Sequence, residues 1–289
     1  MGVHQLYYGL LIAEKQKDAA MAALNAAQEV LHESEDAVRS GNVLDNAAIG
    51  SRARLLQNRQ YLLAAENQIA DLTSELGDLL NLPQDTELLI TGIADTLPEL
   101  QTPEQYLGEG LSRNPEIQAA KDLLEKAHHG VRAAQDEYIP DISLFARHTY
   151  QDGVPFITRH IETYGVQMTW NIFDGGNRRS VLNQRRSQLS QAEENLKRTE
   201  NRIAVEIGKA YRKVERSGLL TDAARESLSY QRENLRLSGN QLKAGVTSDA
   251  RHAESVAAVR KAELEELQAH LGYRLALAEL DRMTGRFNL

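Results

Sequence analysis

The chain has 289 residues and a net charge of −8, from 33 Lys+Arg against 41 Asp+Glu, which makes a nucleic-acid partner a poor fit. It contains no cysteine, so disulfides, thiolate catalysis and Cys-based zinc sites are excluded. With 5% aromatic residues and only six prolines, the composition favours long helices over a compact mixed core.

The N-terminal stretch Met1 to Lys15 has too short an apolar run and no basic n-region, so it reads as the middle of a helix rather than a signal peptide. From Leu6 a heptad-like seam runs through Leu10, Ala13, Lys17, Ala20, Leu24, Ala27, Leu31, Ser34 and Val38. Such a period, held this long, means packing along a helical partner. Gly41-Asn42 then punctuates the chain as a helix C-cap and turn. Apolar periodicity resumes at Leu55, Leu62, Ile69, Leu72 and Leu76, so residues 1–82 are predicted to form a helical hairpin with its tip near 40–46.

Residues 83–102 read as a linker. A shorter helical part over 103–139 opens with Thr102 as N-cap, Pro103 at the first position and Gln105 three residues after the cap. It pauses at Asn114-Pro115 and ends at Ile139-Pro140. Residues 140–174 change character. Ile142, Leu144, Ala146, His148 and Tyr150 alternate with Ser143, Phe145, Arg147 and Thr149. After the turn chemistry of Gln151 to Phe156, Tyr164, Val166, Met168, Trp170 and Ile172 alternate with polar residues and glycine. The period of two predicts a β-hairpin with one apolar and one polar face, with strands of about nine to eleven residues, the length of a tilted transmembrane strand. On alternation alone the apolar face could pack on protein. Two strands set between very long helices have no nearby core large enough to cover them, and their open edges require partners.

Asp174-Gly175-Gly176 lacks the following Gly-Lys-Ser/Thr of a phosphate loop and reads as the strand-to-helix turn. No strong breaker lies between Gly176 and Ala244; as one helix, 177–243 would run about 100 Å at the ordinary α-helical rise. Its seam passes through Ile203, Ile207, Ala210, Val214, Ser217, Thr221, Ala224, Leu228, Gln231, Leu235, Ser238 and Leu242. Gly245-Val246 is the second tip, and Leu264, Leu267, Leu271, Leu275 and Ala278 continue the last helix, completing a hairpin over 175–289.

The two hairpins look like copies. Tyr7 aligns with Tyr211, Gly41 with Gly245, Asp45 with Asp249, Ser51 with Ser255 and Leu76 with Leu280, every pair 204 positions apart without a gap. About a hundred residues precede the second copy and none the first, so an N-terminally truncated first repeat is expected.

The stretch Leu111 to Ala120, the strand entry Tyr138-Ile-Pro-Asp-Ile-Ser-Leu, the strand exit Val166 to Gly176 and the turn Lys243-Ala-Gly-Val-Thr-Ser-Asp together resemble the TolC-like outer-membrane efflux protein family, over essentially the whole chain. The resemblance implies a mainly α fold of long coiled-coil hairpins in two tandem repeats, with the β-hairpin contributing to a trimeric transmembrane β-barrel. Twelve strands leave a passage where four could not close. It implies an outer-membrane protomer with a periplasmic extension, serving as a passive exit duct for a tripartite pump or type I secretion system. A periplasmic adaptor, and through it an inner-membrane pump, would dock at Gly41, Asn42, Val43, Leu44 and Asp45 and at Gly245, Val246, Thr247, Ser248 and Asp249. The lipid face would be Ile142, Leu144, Tyr150, Tyr164, Val166, Met168, Trp170 and Ile172; Arg147 and Gln167 would face the lumen. Candidates for a tip constriction are Asp249, Arg251 and Glu254; Ala47 and Gly50 in the first copy depart from an all-acidic ring.

No catalytic residues, cofactor or metal are expected. The eight histidines are scattered, none makes a His-x-x-x-His pair, and they read as surface residues. The competing reading is a soluble periplasmic coiled-coil scaffold or adaptor without a pore.

Overall fold

The computed structural model describes residues 2–83, 86, 88–93, 96–153 and 155–286. Met1, Val154 of the strand-connecting loop, parts of the 83–102 linker and the last three residues therefore lie outside the described residues. The order is α1 (Gly2–Arg39), α2 (Asp45–Leu79), α3 (Pro103–Arg113), α4 (Pro115–Asp136), β1 (Asp141–Tyr150), β2 (His160–Thr169), α5 (Asn177–Lys243) and α6 (Asp249–Met283). The protein is thus mainly helical with a small two-stranded sheet. Two compact units divide it: residues 1–103 with 208–282 and 287–289, and residues 104–207 with 283–286.

In the first unit α1 packs along α2, and the C-terminal part of α5 packs along α6. Every seam residue named above is buried or half-buried. Ala13, Val214 and Thr221 are fully shielded and Leu10, Ala210 and Leu228 nearly so; Ile203 and Ile207, which belong to the second unit, are likewise buried. The seam mixes Ala, Ser and Thr with Leu, Ile and Val, and the glycines beside it leave room for ordinary contact with the facing helix. A Cβ on Gly9 would meet Leu72 at 3.6 Å, and one on Gly218 would meet Tyr273 at 3.6 Å. Polar seam residues are paired rather than stranded: the hydroxyls of Ser34 and Ser51 lie 2.8 Å apart, and Ser238 Oγ lies 3.3 Å from His252 Nδ1.

α6 is buried over a wider arc than one stripe. Val259, Ala262, His270, Tyr273, Ala276 and Leu277 are buried in addition to Leu271 and Leu280. One cause is the segment after α2, which has no helix or strand among its described residues yet lies against α6. Tyr273 donates its hydroxyl to the Pro98 carbonyl at 2.8 Å, and Arg274 Nη2 donates to the Thr96 carbonyl at 2.9 Å. From α1, Tyr7 donates to the carbonyl of Thr91.

In the second unit α3 ends where Asn114 turns into α4. The Asn114 side chain accepts the Glu116 N–H at 2.9 Å, as an N-cap should, and donates to the Met283 carbonyl at 2.8 Å. Gly110 admits the Ile207 side chain so closely that a Cβ there would sit 2.2 Å from Ile207 Cδ1. Glu109 makes a two-pronged ion pair with Arg286, whose guanidinium also lies 4.8 Å from the Tyr106 ring centre. The hydrogen bond from Arg286 holds the Glu109 carboxyl below its usual range, against the opposite pull of burial.

The second strand differs from expectation at both ends. It begins at His160, four residues before the alternation at Tyr164, and stops at Thr169, so Trp170 and Ile172 lie beyond the ladder. The reason is the partner: β1 begins at Asp141, directly after Pro140, which has no N–H to donate, so β2 has nothing to pair with past Thr169.

Candidate functional site

Three surfaces stand out: the two helical tips and the strand pair. The tips share one construction. At the first, the Gly41 N–H donates to the Val38 carbonyl at 3.0 Å and the Asn42 N–H to Ala37 at 2.9 Å. At the second, Gly245 donates to Leu242 at 3.0 Å and Val246 to Gln241 at 2.9 Å. This is the paired Schellman cap, whose left-handed residue glycine fills without strain; φ is +74° at Gly41 and +70° at Gly245. The caps leave large apolar side chains in solvent, Leu44 at 77% and Val246 at 76% exposure, with Val43 beside Leu44 also exposed. Gly41 to Asp45 are all exposed, as are Gly245, Val246, Ser248 and Asp249, while Thr247 is half-buried. Ser248 also caps α6, its hydroxyl accepting the Arg251 N–H at 3.4 Å.

The constriction candidates are not gathered at one spot. Asp249 lines a groove with Asp18, Glu29 and His252, between α1 and the start of α6. Glu254 lies in the adjoining hollow with Ser51, Arg54 and Asn58, and Arg251 is exposed and lines neither. Further along α6, Glu263 accepts from Arg260 at 2.9 Å and from Arg232 of α5 at 3.3 Å. Burial pushes the Glu263 carboxyl up, but those two hydrogen bonds and the charges of Arg260 and Lys15 outweigh it and hold it below the usual range.

The strands pair antiparallel in one continuous register. Directly opposed residues share a face, so Ile142 with Met168, Leu144 with Val166 and Ala146 with Tyr164 form an apolar band. Asp141 with Thr169, Ser143 with Gln167 and Arg147 with Thr163 form the polar face, so Arg147 and Gln167 share that face, separated by the Phe145–Gly165 rung. Phe145 belongs to that polar face by parity; its ring covers Gly165, 3.2 Å from where a Cβ would stand. Both faces are open. Leu144 and Tyr164 are each 83% exposed, and Ile142, Val166 and Met168 are 60–67% exposed.

A charged clamp sets the base of this hairpin. Asp174 accepts the backbone N–H of Arg178 at 2.8 Å and of Gly176 at 3.1 Å, and Arg178 Nε donates back to it at 2.9 Å. These bonds, the Arg178 backbone N–H first, keep the Asp174 carboxyl below its usual range. The same guanidinium lies 5.1 Å from the Tyr138 ring centre and donates to the Glu137 carbonyl, tying the end of α4 to the start of α5.

Sequence reasoning did not single out the exposed apolar stripe of α2, Ile49, Leu56 and Leu63, at 69%, 55% and 52% exposure. Its seven-residue spacing was readable, but the adjacent seam at Leu55 and Leu62 masks it. Among the described residues no helix is long and apolar enough to cross a membrane, which bears only on helices.

No curated protein sequence matches the chain. Among solved structures, it is similar to the CmeC outer membrane channel of Campylobacter jejuni, with TM-score 0.69 and 17% identity over 98% of this chain and 61% of that one. The outer membrane protein VceC of Vibrio cholerae gives 0.72 and 15%, over 98% and 69%. The open state of the Neisseria gonorrhoeae MtrE outer membrane channel gives 0.62 and 19%, over 98% and 66%. The likeness at such identities is one of fold, and the chain spans about 61% of the length of CmeC. The family model for outer membrane efflux proteins matches residues 107–286, more than half the chain, and the protein belongs to that family.

Proposed function

We propose that the protein is a protomer of an outer-membrane channel, a passive exit duct for a tripartite efflux pump or type I secretion system. The observation that carries this reading is the strand pair. A ladder with an apolar band 60–83% exposed, both edges open, is stable only where something other than water meets it. Lipid on that band and neighbouring strands on the edges satisfy both demands at once. Trp170 and Ile172, past the ladder of this chain, pair in this reading with a strand from elsewhere in the barrel.

The finer architecture belongs to the same proposal. Residues 1–82 and 175–289 are the helical hairpins of two tandem repeats joined by the linker 83–102, and 103–139 leads into the barrel hairpin at 140–174. The matching caps 204 positions apart support the repeat. Three protomers close a twelve-stranded barrel, with Arg147 and Gln167 toward the lumen, and the α2 stripe at Ile49, Leu56 and Leu63 is covered by a neighbouring copy. A periplasmic adaptor meets the glycine tips, with Leu44 and Val246 as apolar anchors. Asp249 and Glu254 are the acidic groups poised for the tip constriction, and Arg251 offsets their charge.

The test is single-channel conductance of the full-length protein, purified in detergent and reconstituted in planar bilayers. Stable conductance that changes on Glu254→Gln supports the pore and its constriction. A monodisperse protein that needs no detergent overturns the channel reading and restores the soluble scaffold.

A further inference from the structure

The apolar band of the strand pair stops short of the turn. On the same face, the last two rungs are His148 opposite Glu162 and Tyr150 opposite His160. The diagonal brings the two imidazoles together: His148 Nε2 lies 3.4 Å from His160 Nδ1, with ring centres 5.4 Å apart. On the other side of the His148 ring, Nδ1 faces Glu162 Oε1 at 3.7 Å. Tyr150 stacks at a tilt on His160, 5.1 Å between ring centres.

We propose that His148 and His160 form a two-imidazole binding site for a divalent transition metal of the zinc, copper or nickel class, with Glu162 as the group that orients His148. Two nitrogens 3.4 Å apart, each about 2.1 Å from a common ion, subtend an angle of about 110° at it, the tetrahedral value. At 3.7 Å the Glu162 carboxylate is an electrostatic neighbour of Nδ1 rather than a hydrogen-bond acceptor, and its charge favours the N–H on that side, which leaves Nε2 as the lone-pair donor a metal requires. Nε2 is the atom that faces His160. Imidazole nitrogen is a preferred ligand for these ions, and copper(II) binds most tightly of the series at a given site.

The backbone around the pair is already organised. The ladder runs unbroken to Tyr150 and His160, the Gln151 N–H donates to the Arg159 carbonyl at 3.0 Å, and Arg159 pairs with Asp152 at 3.2 Å. Both rings are therefore presented from paired strands rather than from the loop. His148 is about half exposed and Glu162 more so, which leaves the remaining coordination positions to water. Among the described residues no group of three or more His, Cys, Asp or Glu is placed to hold a metal, so in this proposal the protein supplies two ligands only, and an ion so held would exchange readily. The site rests on strand register alone and does not depend on the channel reading.

The test uses the whole protein in detergent at about pH 7.5, where few protons compete for imidazole. Calorimetric titration with zinc chloride is expected to show one ion per chain. His148→Asn and His160→Asn should each weaken binding by about a hundredfold, and Glu162→Gln by about tenfold. His128→Asn, on the exposed side of α4, should leave it unchanged. Electron paramagnetic resonance of the unaltered protein with one equivalent of copper(II) should report two imidazole nitrogens, a readout that needs no variant. Affinity indifferent to both strand histidines, or a single coordinated nitrogen, would overturn the site and leave a plain ring-to-ring hydrogen bond.

Discussion

The helical seam and the strand face use the same kinds of side chain to opposite ends. Val214 in α5 is fully buried, whereas Val166 in β2 is 67% exposed; Leu271 is fully buried, whereas Leu144 is 83% exposed. In the helices the chain supplies its own partner, so water is excluded by another stripe of the same molecule. In the strands the apolar side chains are presented outward, and nothing among the described residues answers them. Apolar character by itself therefore does not define a core. What defines it is whether the period of the element brings a second apolar surface to meet the first.

That contrast can be broken from either side. The largest effect is expected at the seam: Leu271→Ala removes a fully buried side chain and should destabilise the first unit by about 2–5 kcal/mol, read from the denaturant midpoint. The complementary change on the strand, Val166→Arg, should leave helicity by circular dichroism unaltered, since Val166 touches no core. If the apolar strand face meets lipid, as proposed above, it should instead cost about 2–4 kcal/mol of insertion at the bilayer midplane, seen as loss of the protein from outer-membrane fractions. If both variants lost helicity equally, the strand face would have to be part of the core after all.

Smaller changes sharpen the comparison. Gly110→Ala forces Ile207 Cδ1 out of its place and should destabilise the second unit by about 1–3 kcal/mol in thermal melts. Gly245→Ala meets no neighbour within 4 Å, so only the backbone strain of φ +70° is felt, about 1 kcal/mol, and Gly41→Ala should match it. Acid should act through Glu263 and Asp174, whose carboxyls are held below their usual ranges. A depressed carboxyl contributes stability above its ordinary pKa, 4.5 for Glu and 3.8 for Asp, and loses it as pH falls through the lower folded value. Amide protection in α6 around Glu263 and at the start of α5, read relative to the intrinsic exchange rate, should therefore fall below about pH 4, and the Glu263→Gln protein should show less of that acid dependence in α6.

Much of this was legible in the residues. The 3.5-residue stripe through Ile203 to Leu242 names side chains that are all buried or half-buried, and the lack of any proline from Asn177 to Lys243 corresponds to one unbroken helix. The tips could be located because Gly41 and Gly245 stand where a left-handed cap is needed. The limits of β2 were less legible, because alternation continues through Ile172 while the ladder ends with its partner at Asp141. The clamp of Asp174 on Arg178 was half-visible as a strand-to-helix turn; its reach to Tyr138 and Glu137 was not.

By itself, then, the sequence determined the elements, their periods and their punctuation, because helix, strand and cap are set by neighbours a few positions away. The tertiary structure alone decided which distant groups meet. Nothing in the spacing of His148 and His160 suggests a pair, since a search for metal ligands on helices looks three or four positions along, and here twelve residues and a reversal of direction separate them. Nor does anything in Pro98 or Thr96 suggest that their carbonyls would receive Tyr273 and Arg274 from the far end of the chain. Local periodicity is written in a short window of residues, whereas register and long-range docking depend on closing loops whose ends the sequence does not mark.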